Sequence, residues 1–65
     1  MNIQCNEQEM QIEAETLAAA LVELGYESKV VATALNGEFV PKAQRESTMI
    51  RTGDRIDVLA PMQGG

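Results

Sequence analysis

The sequence contains no histidine and no tryptophan. Without histidine it lacks the commonest general base near neutral pH, the commonest metal ligand and the centre of the usual hydrolytic triads. Aromatic residues stop at one Tyr and one Phe, so the core has to be aliphatic. Cys5 is the only cysteine, which rules out an internal disulfide and any dependence of the fold on an oxidising compartment. No stretch approaches the roughly 20 apolar residues of a membrane-crossing helix. The opening Met1-Asn2-Ile3-Gln4-Cys5-Asn6 has neither the basic start nor the apolar run of a signal peptide. The expectation is a cytoplasmic protein with no membrane role.

Bases are also scarce. Lys29, Lys42, Arg45, Arg51 and Arg55 stand against ten acids, for a net charge of −5. They are scattered and form no stripe, so a nucleic-acid partner is not expected. An acidic chain suits a basic partner surface, chiefly through faster encounter, and acidity alone also favours solubility. The 65 residues suffice for one domain. A domain of this size buries only about 60% of the surface its unfolded chain exposes, which leaves little room for a deep catalytic pocket.

Isolated chemical signals are weak. Cys5 sits on the alternating face of a strand with no base nearby and reads as a small core hydrophobe. Glu7, Glu9, Glu13 and Glu15 read as a solvated hairpin face, and no metal site is expected from them. Gly25 and Gly37 are isolated and Gly53 fits a turn, so there is no phosphate-binding loop. Three of the four methionines read as gap-fillers, with Met62 set apart in the terminal segment.

Met1, Ile3 and Cys5 alternate with Asn2, Gln4 and Asn6, which predicts a half-buried strand. After a polar turn over 6–9, Met10 and Ile12 alternate with Gln11 and Glu13 as its hairpin partner. Thr16 then caps a helix with Leu17, Ala20, Leu21 and Leu24 on one face. Gly25 ends it, with Tyr26 placed to pack back on Leu21. Val30–Leu35 reads as a strand, Asn36-Gly37 as a tight turn with positive φ at both positions, and Glu38–Val40 as the returning strand. Pro41 stops the pairing, and Lys42–Glu46 predicts one helical turn. Thr52-Gly53-Asp54 turns the chain into a last strand, with Ile56, Val58 and Ala60 on one face. The whole predicts an α+β fold: one mixed sheet of four or five strands with one main helix across one face. The domain occupies 1–60, and 61–65 is a flexible tail.

That tail ends in Gly64-Gly65, an ending that chance produces in about one chain in two hundred. Two glycines suit a terminus that must thread a narrow channel, because nothing beyond the backbone has to pass. Pro61–Gly65 extends on the order of 15 Å. A carboxylate acylates poorly, but joining it to AMP makes a mixed anhydride that a sulfur nucleophile can open. The expectation is that Gly65 supplies the carboxylate and Gly64 the passage. No catalytic residue is expected within the chain.

The whole sequence resembles the ThiS family, the sulfur carriers of thiamine biosynthesis. The resemblance is carried by the opening strand Met1-Asn2-Ile3-Gln4, Thr16 before an aliphatic helix, and Ala34-Leu35-Asn36-Gly37 leading to Val40-Pro41-Lys42. Gly53-Asp54 before the last strand and Gly64-Gly65 complete it. It implies a ubiquitin-like β-grasp fold. It further implies that a ThiF-type adenylyltransferase, using ATP and magnesium, adenylates Gly65. Sulfur from a cysteine desulfurase or another donor then makes a thiocarboxylate, and thiazole synthase consumes it. The carrier is thus a co-substrate and not an enzyme, and it binds no cofactor stably. Pro61-Met62-Gln63 is more polar than the apolar run common there in the family.

Strand alternation adds a docking face. If Ile56 and Val58 point inward, Asp57 and Leu59 point out, as do Ala34 and Phe39. Ala34, Phe39 and Leu59 with Met62 make an apolar patch beside the tail, with Asp57 placed to meet a basic group on the partner. The alternatives are the small subunit of molybdopterin synthase, another β-grasp sulfur carrier, a ubiquitin-like modifier that forms isopeptide bonds, and a β-grasp binding module without tail chemistry.

Overall fold

A computed structural model describes residues 1–27 and 30–60. Strands β1 (Asn2–Cys5) and β2 (Gln8–Gln11) form an antiparallel hairpin. Its turn is only Asn6-Glu7, both at positive φ (51° and 69°), because Gln8 and Glu9 already pair with Cys5 and Gln4. Met10 does not face the core as its alternation with Ile12 predicts. All four β2 residues are exposed at the sheet edge, and Ile12, one residue past the strand, is buried. Ile12 is held there by backbone bonds with Met1: its N–H donates to the Met1 carbonyl at 2.9 Å, and the terminal amine donates back at 2.6 Å.

Helix α1 runs Leu17–Glu23. Thr16 is extended (φ −117°, ψ 160°), and its hydroxyl accepts from the Ala19 N–H at 3.1 Å, the N-cap its sequence position predicts. At the other end Gly25 takes φ 94°. The Tyr26 N–H reaches the Leu21 carbonyl at 2.8 Å and the Gly25 N–H the Val22 carbonyl at 3.1 Å, which is the Schellman arrangement. Leu17, Ala20 and Leu21 are buried against the sheet, with Leu24 and Tyr26 partly so.

Strands β3 (Ala32–Leu35) and β4 (Glu38–Val40) flank the Asn36-Gly37 turn, with φ 52° and 85°. β3 begins two residues later than predicted. Val30 is 78% exposed and outside the sheet, although Val31 is buried. A 3-10 helix, Lys42–Ser47, follows Pro41, and β5 (Arg55–Leu59) closes the fold. Ala60 lies just past β5 and is exposed, so it does not extend the inward row of Ile56 and Val58.

The strand order is β2-β1-β5-β3-β4, with β1 and β5 parallel and every other pair antiparallel. The last strand therefore lies in the middle of the sheet, between the first strand and the second hairpin. Ile3, Ile12, Leu17 and Ile56 are at most 1% exposed. Each contributes about 1.5–3 kcal/mol of burial to a core that has few members. Thr33 is the one polar side chain buried among the described residues. Its hydroxyl donates to the Val40 carbonyl and accepts from Arg45 Nε, both at 3.1 Å. This is the β-grasp arrangement that the resemblance implies, with five strands and one main helix.

Candidate functional site

The outward face of the sheet is built by the same alternation that builds the core. In β5, Ile56 and Val58 are buried, Asp57 is half-buried and Leu59 is 72% exposed. In β4, Val40 is buried and Phe39 is 67% exposed. In β3, Thr33 points inward, which leaves Ala32 and Ala34 on the outer side. Register then brings these residues together across three strands. Ala34 lies between Phe39 on one side and Asp57 on the other, and Ala32 lies opposite Leu59.

The result is a shallow, mainly apolar depression lined by Ala32, Thr33, Ala34, Phe39, Asp57 and Leu59. Two alanines form a low floor, and Phe39 and Leu59 stand above it. An exposed aromatic beside an exposed aliphatic is the composition of an interface anchor. Asp57 supplies the only anion of this lining, and its carboxylate pairs with Arg55 Nε at 3.3 Å. Both side chains of that pair are close to half exposed, so the pair itself contributes only about 0–1 kcal/mol to stability.

Four of the five residues expected in the docking patch, Ala34, Phe39, Asp57 and Leu59, therefore share one face. Met62, Gly64 and Gly65 lie outside the described residues, as does the rest of the segment 61–65. Leu59 is followed directly by Ala60, the last described residue, so the patch adjoins the point where that segment begins. Sequence reading missed two contributors. Ala32 stands two positions before Ala34 on the same strand and follows from the same alternation. Arg55 stands two before Asp57, and nothing but that spacing marked it.

The remaining chemical candidates do not converge here. Cys5 is buried, and burial pushes its thiol pKa up, with the negative charge of Asp57 adding to the effect. A thiol held protonated is a poor nucleophile. Glu7, Glu9, Glu13 and Glu15 are all exposed, and no group of three or more acids and cysteines comes together to hold a cation among the described residues. A larger groove runs between α1 and the 3-10 helix, where Leu21, Val22 and Tyr26 meet Lys42, Arg45 and Glu46. It contains none of the residues expected in the docking patch. No helix among the described residues is long and apolar enough to cross a membrane.

Comparison with known proteins agrees along the whole chain. The ThiS family model matches residues 2–65. The sulfur carrier protein ThiS of Thermus thermophilus is 41% identical over 54 residues, which cover 83% of this chain and 84% of that protein. The crystal structure of the thiamine biosynthesis protein ThiS from Geobacter metallireducens superposes with a TM-score of 0.83 at 28% identity, covering all of both chains. A solution structure of a thiamine biosynthesis protein from the same organism gives 0.79 at 25% identity, covering all of this chain and 88% of that one.

Proposed function

This chain belongs to the ThiS family and is a sulfur carrier of thiamine biosynthesis, and we propose that the group it offers for loading is the carboxylate of Gly65. The observation that carries the reading is the family match, which runs through Gly64-Gly65. The chemistry is acyl activation followed by sulfur attack. A carboxylate oxygen of Gly65 attacks the α-phosphorus of ATP, and pyrophosphate leaves. Hydrosulfide adds to the resulting acyl adenylate, AMP leaves, and the product is a thiocarboxylate; a persulfide donor gives an acyl disulfide first, and a thiol reductant then cleaves its S–S bond to release the thiocarboxylate. ATP and magnesium belong to the partner adenylyltransferase.

The chain acts as a co-substrate. Its enzymes are those of thiamine biosynthesis: a ThiF-type adenylyltransferase that loads it, a cysteine desulfurase or other donor that provides sulfur, and thiazole synthase that withdraws it. The depression around Ala34 docks the adenylyltransferase. Phe39 and Leu59 are its apolar anchors, Met62 joins them, and Asp57 faces a basic group on the enzyme. Gly64 passes through the channel that leads to ATP. All of this takes place in the cytoplasm.

Intact mass spectrometry tests the loading step. The chain is incubated with ATP, magnesium, the adenylyltransferase and a sulfur source. Replacement of one carboxylate oxygen by sulfur adds ~16 Da, and the gain is absent when Gly65 is deleted. An unchanged mass in the presence of an enzyme that loads another carrier refutes the proposal.

A further inference from the structure

Asn36-Gly37 is well suited to its turn and chemically vulnerable. Both positions need positive φ, which Asn and Gly adopt most readily. The same pairing leaves the Gly37 amide nitrogen uncrowded by any side chain of its own. That nitrogen can attack Asn36 Cγ. A Cγ–N bond forms, the Cγ–Nδ2 bond breaks, and Nδ2 leaves as ammonia with the proton given up by the Gly37 nitrogen. Water then opens the imide ring to an aspartate or, through the other carbonyl, to an isoaspartate. The net change is water consumed, ammonia released and one negative charge gained. No oxidant, reductant or enzyme is needed.

The fold holds the attacked group in place. Asn36 Nδ2 donates to Asp54 Oδ1 at 3.1 Å, and Asn36 Oδ1 accepts from the Arg55 N–H at 2.9 Å. The Asn36 N–H also reaches the Arg55 carbonyl at 2.7 Å. Asp54 is itself fixed: its Oδ2 accepts from the Arg51 N–H at 2.8 Å, and its backbone carbonyl accepts from the Gln4 N–H at 3.0 Å. To reach the Gly37 nitrogen, Asn36 Cγ must give up both side-chain bonds. Once the reaction has happened, the old position cannot be resumed. A carboxylate oxygen would stand where Nδ2 stood, about 3 Å from Asp54 Oδ1, and two anions at that distance repel.

We propose that Asn36-Gly37 is a site of spontaneous deamidation that Asp54 and Arg55 hold in check, and that the product frees the β3–β4 hairpin from the start of β5. The hairpin carries Ala34 and Phe39, and β5 carries Asp57 and Leu59. The joint that loosens therefore runs across the outer face of the sheet. Deamidation is an irreversible modification that ages the carrier at the face it presents, whichever enzyme binds there.

Two measurements test this on the full chain, and neither depends on the sulfur chemistry. In the first, folded chain and chain in urea are held at mildly alkaline pH. Conversion at Asn36 is followed by intact mass and peptide mapping. The folded chain should convert at least ~10-fold more slowly, because reaction then waits on local opening. Equal rates overturn the protection. In the second, Asn36→Asp is compared with the double variant Asn36→Asp, Asp54→Asn, which exchanges the carboxylate and the amide across the same contact. The single variant should melt below the wild type, and the double variant should recover most of the loss. A single variant as stable as the wild type, or a double variant no better than the single one, overturns the repulsion.

Discussion

The side-chain amide of Asn6 holds both backbone polar groups of Val58. Its Oδ1 accepts from the Val58 N–H at 2.8 Å, and its Nδ2 donates to the Val58 carbonyl at 3.2 Å. The Asn6 N–H meanwhile donates to the Ile56 carbonyl at 3.0 Å. β1 has ended by then, and its chain is turning toward β2. One side chain thus stands in for a peptide unit and carries the parallel ladder one step further along β5.

Asn6→Ala leaves the Val58 groups without those partners. The expected loss is about 1–3 kcal/mol, the cost of partly buried backbone groups left unpaired. In a domain this small each kcal/mol lowers the melting temperature by about 4–8 °C. Its neighbour should respond in the opposite sense. Glu7 sits at φ 69°, where a Cβ is strained, so Glu7→Gly should raise the melting temperature by a few degrees. Thermal melts of the two variants, in opposite directions, check the account of this turn.

Arg45 ties the 3-10 helix to β3. Its Nη2 donates to the Val31 carbonyl at 2.6 Å and its Nε to the Thr33 hydroxyl. Arg45→Met keeps the stem and removes every donor. We expect a loss of about 1.5–3 kcal/mol, as for hydrogen bonds made by a charged group. Arg45→Lys, with a single ammonium, should recover only part of it. Urea midpoints decide, and a midpoint unmoved in the methionine variant would remove Arg45 from the account of stability.

Phe39→Ala and Leu59→Asp change residues that are mostly exposed. Their folding stability should stay within about 0.5 kcal/mol of the wild type. Affinity for the adenylyltransferase should fall ~10-fold or more, since truncating an anchor residue costs above about 1.4 kcal/mol. Titration calorimetry separates the two effects. Normal affinity in Leu59→Asp would place docking elsewhere on the molecule.

The raised pKa of Cys5 makes stability sensitive to alkali. Below the ordinary cysteine range, about pH 8.5, the thiol is protonated in folded and unfolded chains alike, and its full contribution is present. As pH climbs past that value the unfolded chain releases a proton that the folded chain retains. Unfolding is then favoured, and the contribution is lost as pH passes through the folded-state value. Urea midpoints should decline over this alkaline range in the wild type and decline less in Cys5→Ala. Parallel curves for the two proteins would contradict it.

What the sequence made legible was local. Thr16, Gly25 and Asn36-Gly37 each act within a few residues, through a cap, a left-handed residue and a tight turn, and each is found where its chemistry predicts. Alternation likewise placed Asp57, Leu59 and Phe39 on the outer face. It failed at Met10, because an edge strand with both faces exposed imposes no inward row. It also failed at Ala60, where the strand stops one residue short. The remaining gaps are contacts between distant parts of the chain. Asn6 meets Val58 across 52 residues, and Arg45 reaches Val31 across 14. Residue patterns one strand long contain no trace of such partners. The parallel neighbourhood of β1 and β5 is illegible for the same reason, although it is what puts β5 in the middle of the sheet.

The central place of β5 has a mechanical side. Ala60 and all that follows it continue from a strand flanked by β1 on one side and β3 on the other. A force applied at Ala60 in line with β5 acts on a central strand. It loads the ladders on both flanks in shear, so that many hydrogen bonds share the tension at once. An edge strand under the same pull could be peeled away one bond at a time. The domain therefore resists such a pull along its strongest line, at the point where the segment beyond Ala60 begins.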